Sequence, residues 1–185
     1  GWTRAHPYSL SAAPRPDLLR ITVKDLGDGS GAVPSLRPGA RVIAEGPYGR
    51  LTGAARRRAR LTFLACGIGI TPIRALLESE FYRRGEAVLI YRVSGPGELT
   101  FYRELEQLSR DRGVEIHYLV GPRSGLSWLP AGHTDAVQEL MRLAPHVAGS
   151  DVYLCGPAPW MASVSDTLDR VGVAAAHIHH EMFSW

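Results

Sequence analysis

Three stretches carry residue types whose spacing suits chemistry. The first is Cys66-Gly67-Ile68-Gly69-Ile70-Thr71-Pro72, which follows one apolar run and opens another of helical period. Gly67 and Gly69 lack a Cβ, so an anion can approach their backbone closely. Thr71 is expected to cap the helix, and Pro72 to sit at its first position, where a missing N–H costs nothing. With Ile70, the turn then presents backbone N–H groups and a helix dipole to a diphosphate. The stretch is not G-x-G-x-x-G, and a bare Gly-x-Gly also serves as a ligand-free turn. Arg92 ends the next strand. An acidic residue there would hold a ribose 2′-hydroxyl, whereas an Arg suits a 2′-phosphate. The alternative is a solvated strand end.

The second stretch, Cys155-Gly156-Pro157, repeats the strand–turn–helix setting. The third is the C-terminus, His177-Ile178-His179-His180-Glu181-Met182-Phe183-Ser184-Trp185. Its histidines invite a metal reading. Alternating strand positions are expected to face opposite sides, and no partnering carboxylate or cysteine cluster accompanies them, so no metal site is read here. A terminal Trp is unusual, because free ends fray in water. Trp185 is expected to dock on a flat surface, either apolar protein or a ring system.

Elements must position these groups. From Leu61 onward, strand and helix alternate. Strands are expected at 61–65, 87–91, 114–120, 151–154 and 175–179, and helices at 72–84, 99–112, 135–143 and 160–171. This alternation predicts an α/β fold, a doubly wound parallel five-stranded sheet covered on both faces. Residues 1–55 read as β, with strands at 8–11, 19–24 and 41–45 around a Gly-rich loop. Three strands cannot close a barrel, so this half either borrows from residues 56–185 or is a piece whose earlier strands lie upstream of Gly1, and the second is expected. The domain boundary is placed between residues 55 and 56.

Composition narrows the classes. The chain has 185 residues, 45% of them hydrophobic and 21% charged, which is ordinary globular usage. No apolar run approaches the roughly 20 residues of a membrane span. A net charge of +3 implies no nucleic acid. The basic residues cluster once, at Arg56, Arg57, Arg58 and Arg60, as a solvated loop or a contact with anionic lipid. Two distant cysteines provide neither a disulfide framework nor metal spacing, and fit a reducing cytoplasm.

Four segments in order, His6-Pro7-Tyr8-Ser9-Leu10-Ser11, Gly46-Pro47-Tyr48-Gly49, Gly67 to Pro72 and Cys155-Gly156-Pro157, followed by a Glu and a final aromatic, resemble the ferredoxin–NADP reductase superfamily. The likeness points to the dehydrogenase domains of ferric-reductase-like proteins and NADPH oxidases. It implies part of an antiparallel β-barrel FAD domain (1–55) before a Rossmann-like NAD(P) domain (56–185). His6, Pro7, Tyr8, Ser9 and Ser11 match the flavin motif, with Tyr8 on the isoalloxazine and Ser9 near flavin N5. His6 stands where most of the superfamily has Arg. Lys24, Gly29, Ser30 and Gly31 match the FAD diphosphate segments.

The resemblance further assigns Gly67, Gly69, Ile70, Thr71 and Pro72 to the NADP(H) diphosphate, and Arg92 and Arg123 to the 2′-phosphate side. Cys155, Gly156 and Pro157 match the nicotinamide turn. Glu181 and Trp185 fall near the flavin, with Phe183 competing for the stacking role. Ser9, Cys155, Glu181 and Trp185 are thus the expected catalytic group, and FAD and NADP(H) the expected cofactors. The implied reaction passes hydride from NADPH to FAD, then single electrons to an external acceptor: a haem domain, a ferric chelate or oxygen. The branch implies a cytoplasmic module at the inner membrane face, joined to a transmembrane domain. Two alternatives stay open: a soluble ferredoxin or oxygenase reductase component, and a nucleotide-binding module without turnover.

Overall fold

The run Leu61–Cys66 forms strand β1, buried along almost all its length because helices cover both of its faces. The computed structural model describes residues 6–25, 27, 30–49 and 51–182. Along the chain follow α1 (Ile70–Ser79), β2 (Ala87–Val93), α2 (Tyr102–Arg112), β3 (Glu115–Val120), α3 (Ala136–Leu143), β4 (Asp151–Gly156), α4 (Ala158–Val171) and β5 (Ile178–Met182). All pairings are parallel, in the order β3-β2-β1-β4-β5. The winding reverses beside β1, which leaves a crevice between the carboxyl ends of β1 and β4.

Each face has its own core. Phe63, Leu89 and Tyr153 pack with Ile73 and Leu77 of α1 and Leu105 of α2. Leu64, Ile90, Val152 and Leu154 pack with Leu140 of α3 and Val164 and Leu168 of α4. The helices stop where the sequence has left-handed glycines, Gly113 after α2 and Gly172 after α4. Asp135 caps α3, accepting from the N–H groups of Val137 and Gln138 at 2.9 and 3.0 Å.

Several expected boundaries move. The first helix begins at Ile70 rather than Pro72, because Gly67–Gly69 forms a 3-10 turn that runs straight into it. It ends at Ser79, leaving Phe81 78% exposed. The second begins at Tyr102, since Pro96–Glu98 makes its own 3-10 turn. The last strand starts at Ile178 and reaches Met182, after a 3-10 turn at Ala175–His177.

The first fifty residues depart further from expectation. Among the described residues no regular strand forms there; the pairing is limited to isolated bridges, Leu10 with Ile21 and Arg15 with Leu18. Residues 41–45 run without a partner strand, and Val42 and Ile43 are 71% and 82% exposed. The part of an antiparallel barrel expected for residues 1–55 is therefore not formed among the described residues. A strand alone satisfies neither its backbone groups nor its apolar face. The segment is instead clasped to the sheet's helices. Arg74 of α1 donates to Ser11 O (3.0 Å), pairs with Glu78 (2.6 Å) and lies 2.7 Å from a Glu104 oxygen. Arg20 pairs with Glu104 at 2.9 Å, and both guanidinium groups lie over the Phe101 ring.

The Arg cluster is not a free loop or a lipid patch throughout. Arg56 donates to the carbonyls of Arg58, Ala59 and Phe81 and pairs with Glu80. Arg58 donates to Ala148 O at 2.7 Å. These side chains pin residues 51–60 onto the folded body.

Candidate functional site

The two glycine turns meet at the crevice. A Cβ on Gly69 would lie 2.3 Å from Cys155 O and 2.9 Å from Gly156 N, so the turns touch backbone to backbone. A Cβ on Gly156 would lie 2.9 Å from the Cys66 Cβ and 2.8 Å from the Trp160 ring. Gly67 differs. Its φ is +56°, and nothing lies within 4 Å of the position its Cβ would take. Gly69 and Gly156 are thus needed for packing, whereas Gly67 leaves open space beside a helix start. Thr71 does not cap that helix. It lies inside α1, and its Oγ1 donates to Ile68 O at 3.0 Å, closing the turn. No side chain caps the start of α1. Ile70 and Pro72 are buried beneath the turn.

Cys155 and Glu181 are register partners on β4 and β5. Burial, and then the Glu181 and Cys66 charges, push the Cys155 thiol well above its ordinary range. Burial also raises the Glu181 carboxyl. Gly49 packs on this carboxylate: with φ +95°, its Cβ would stand 3.0 Å from Glu181 Oε1. The Gly46–Gly49 segment was noted in the sequence, but not this contact; a glycine closing that motif was the available signal. Pro157 is exposed at the start of α4.

Charges of both signs, Arg92, Glu98, Arg123 and Lys24, act on Cys66 at the end of β1. Burial raises the Cys66 thiol to about 11, against the pull of Arg92, Arg123 and Lys24. Arg92 is buried, and its guanidinium donates to the carbonyls of Val93, Leu119 (3.4 Å) and Pro122 (3.1 Å). It braces the loops after β2 and β3 rather than ending a solvated strand. Arg123 is exposed, with Nε donating to Gly125 O at 3.2 Å. Lys24 is exposed.

The expected flavin motif lies on the surface. Tyr8 is 39% exposed, with His6 stacked beside it at 6.4 Å between ring centroids. Pro7 is exposed and Ser9 half-buried. Ser11 is fully buried; its hydroxyl donates to Arg20 O and accepts from Thr22. Ser30 donates to Gly27 O at 3.1 Å, and the Gly31 N–H to the same oxygen at 2.8 Å. Gly29, Phe183 and Trp185 lie outside the described residues.

The histidines serve another purpose at the opposite edge of the sheet. Asp151, fully buried at the start of β4, accepts from His177 Nδ1 at 3.0 Å and His179 Nε2 at 3.1 Å. It also accepts from the N–H groups of Arg57 and Arg58, at 2.6 and 2.5 Å. His177 closes the 3-10 turn and His179 lies two residues on in β5, yet both reach the same Asp151 oxygen, so the carboxylate partner absent from the local sequence comes from β4. Burial works to raise the Asp151 carboxyl. The Arg57 N–H, both imidazoles and the Arg58 N–H outweigh it and hold the group at about 2. Among the described residues, no cluster of three or more His, Cys, Asp or Glu could hold a metal ion.

The residues fit a dinucleotide diphosphate at Gly67, where the absent Cβ leaves open space beside a helix start. For a flavin, the residues expected to contact it lie at the surface, Tyr8 and Lys24 exposed and Ser9 half-buried.

The chain is similar to known proteins in sequence and in fold. The oxidoreductase NAD-binding domain model matches residues 63–166. The glycine betaine monooxygenase reductase subunit of Chromohalobacter salexigens is 28% identical over 185 residues, covering 95% of this chain and 50% of that protein. The chain thus spans about half the length of that relative. Ferredoxin–NADP reductase B of Sorangium cellulosum is 32% identical over 190 residues, covering 95% of the chain and 77% of that protein. The flavohem-like FAD/NAD-binding domain of nitric oxide dioxygenase from Vibrio cholerae O1 superposes with a TM-score of 0.64 at 25% identity, covering 95% and 76%. None of these three is named a ferric reductase or an NADPH oxidase, so that branch is not the one they mark. With more than half its length in the family model and this likeness in sequence, the chain belongs to the oxidoreductase NAD-binding domain family, within the ferredoxin–NADP reductase-like superfamily.

Proposed function

We propose that the chain is the nucleotide-binding part, with a remnant of the flavin-binding part, of an NAD(P)H-dependent flavin reductase that feeds electrons to an oxygenase or ferredoxin-type partner in the cytoplasm. The observation that carries the reading is the Gly67 cradle at the switch of the sheet, interlocked with the Cys155–Gly156 turn. Residues 1–55 belong to the flavin half and 56–185 to the nucleotide half. The named relatives favour this reading over a ferric-reductase or oxidase module that passes electrons to a haem domain, ferric chelate or oxygen. Membrane attachment is not part of it, and no helix among the described residues is long and apolar enough to cross a membrane.

The chain's residues would divide the work. Backbone N–H groups of the Gly67–Gly69 turn hold the diphosphate, while the Ile70 N–H is turned inward to Gly67 O and Ile68 O. Arg123 meets a 2′-phosphate, while Arg92 fixes the loop that carries Arg123. Cys155 and Gly156 frame the nicotinamide, and the half-buried Glu181 closes the pocket against Gly49. Tyr8 and Ser9 face the flavin. When bound, flavin supplies the conversion from two-electron to one-electron chemistry; the protein supplies position.

Titration calorimetry of the chain with NADP⁺ and NAD⁺ tests this. Saturable one-to-one binding, with NADP⁺ preferred, is expected. A chain that binds neither nucleotide rejects the proposal.

A further inference from the structure

Tyr91 has no part in the site as described so far, yet it touches the site from below. Its side chain is fully buried on β2. Its hydroxyl lies 3.2 Å from Gly67 O in the glycine turn and 3.3 Å from Glu98 O in the loop after β2. It also accepts the N–H of Thr100 at 3.3 Å. The phenol therefore bridges two segments about thirty residues apart in sequence.

A phenol has one proton, so it can donate fully to only one of the two carbonyls at a time. Burial raises the hydroxyl to about 12, so the proton is retained at neutral pH. The loop it reaches is otherwise closed on itself: the Glu98 N–H donates to Gly95 O at 3.0 Å, and the Ser94 N–H to the Glu98 carboxylate at 3.2 Å. In the strand order β2 and β4 flank β1 on opposite sides, so a dinucleotide with its diphosphate at Gly67 and its nicotinamide at Cys155 would run its adenosine half toward the end of β2 and the loop that follows it.

We propose that Tyr91 is a positioning residue that ties the glycine turn to the 94–100 loop and thereby sharpens discrimination between nucleotides with and without a 2′-phosphate. The inference rests on the nucleotide reading above. Loss of the link frees the loop from the cradle. It costs most for the ligand that needs both held in one spacing.

Tyr91→Phe removes the hydroxyl and keeps the ring. One hydrogen bond corresponds to about a fivefold rise in Kd for NADP⁺, with NAD⁺ changing less than about twofold by the same conversion. The melting temperature of the ligand-free variant shows whether it folds. Thr100→Pro is the second variant; it removes the N–H that the phenol oxygen accepts at 3.3 Å, together with that N–H's 2.8 Å bond to Glu98 O, and is expected to lower the NADP⁺ preference likewise. Wild-type binding with unchanged constants in both variants overturns the inference and leaves the nucleotide reading intact. Equal weakening of both nucleotides also overturns it, because Tyr91 would then only support the fold. A wild-type chain that binds neither nucleotide removes the reading and the inference together.

Discussion

Gly67 and Gly69 look equivalent in sequence, and alanine substitutions should separate them. At Gly69 the new Cβ would stand 2.3 Å from Cys155 O, 2.6 Å from its carbonyl carbon and 2.9 Å from Gly156 N. All three are backbone atoms of a buried strand end, so neither turn can swing aside. Relief requires the ends of β1 and β4 to separate. Overpacking of this kind costs about 3 kcal/mol, which in a chain of this size lowers the melting temperature by about 6–12 °C. At Gly67 the Cβ meets nothing within 4 Å. The cost is only that of a side chain at φ +56°, about 1–2 kcal/mol, or about 2–8 °C. The methyl group, however, enters the space assigned to the diphosphate and should weaken NADP⁺ binding by about tenfold or more, equivalent to about 1.4 kcal/mol. Melting curves with and without NADP⁺, paired with calorimetry, read both effects. Gly67→Ala should fold and lose the ligand-induced rise in melting temperature. Gly69→Ala should melt far lower even without ligand. Normal NADP⁺ affinity in Gly67→Ala would refute the cradle. A melting temperature for Gly69→Ala within about 2 °C of wild type, less than a 1 kcal/mol cost would produce, would refute the interlocked turns.

Other consequences follow from the same contacts. The Asp151 carboxyl is lowered from 3.8 to about 2, so its stabilisation is present above pH 3.8 and is lost as pH falls through 2. The shift is worth about 2 kcal/mol. Urea midpoints of wild type and Asp151→Asn should therefore differ at pH 7 and converge toward pH 2; a gap independent of pH would contradict the assignment. Arg123→Ala should raise the Kd for NADP⁺ and leave that for NAD⁺ unchanged, whereas Arg92→Ala should lower the melting temperature. If Arg92→Ala alone abolished NADP⁺ preference without loss of stability, the two roles would be reversed. Arg74→Met removes ion pairs to the half-exposed Glu78 and Glu104 and the hydrogen bond to Ser11 O, and should cost about 1–2 kcal/mol. It should also speed proteolysis within residues 8–22. Unchanged cleavage would mean that Arg20 and Glu104 hold that segment without it.

The core of the fold was legible because its signals are local. Apolar runs such as 61–65 and 87–91 need cover on both faces, and the intervening helical periods supply it. Those facts imply the wound sheet, and a glycine turn following β1 marks its ligand end. The first half shows where such reading stops. Leu19, Ile21 and Val42 have strand-like character, but a strand exists only with a partner for its backbone, and the described residues offer little more than a bridge at Leu10 and Ile21.

What the residues alone determined, then, was the class of fold, the placement of the glycine turns and the nucleotide chemistry they suit. Only tertiary structure decided which glycine packs and which leaves open space, because the neighbour of Gly69 is Cys155, brought alongside by the strand order. It also committed Arg92 to three carbonyls, folded Arg56 and Arg58 inward, gave His177 and His179 a carboxylate from β4 and placed the Tyr91 hydroxyl under Gly67. Each of these contacts joins groups that folding must bring together across strands or loops. Their energies depend on distance and burial, and neither quantity exists until the sheet has closed.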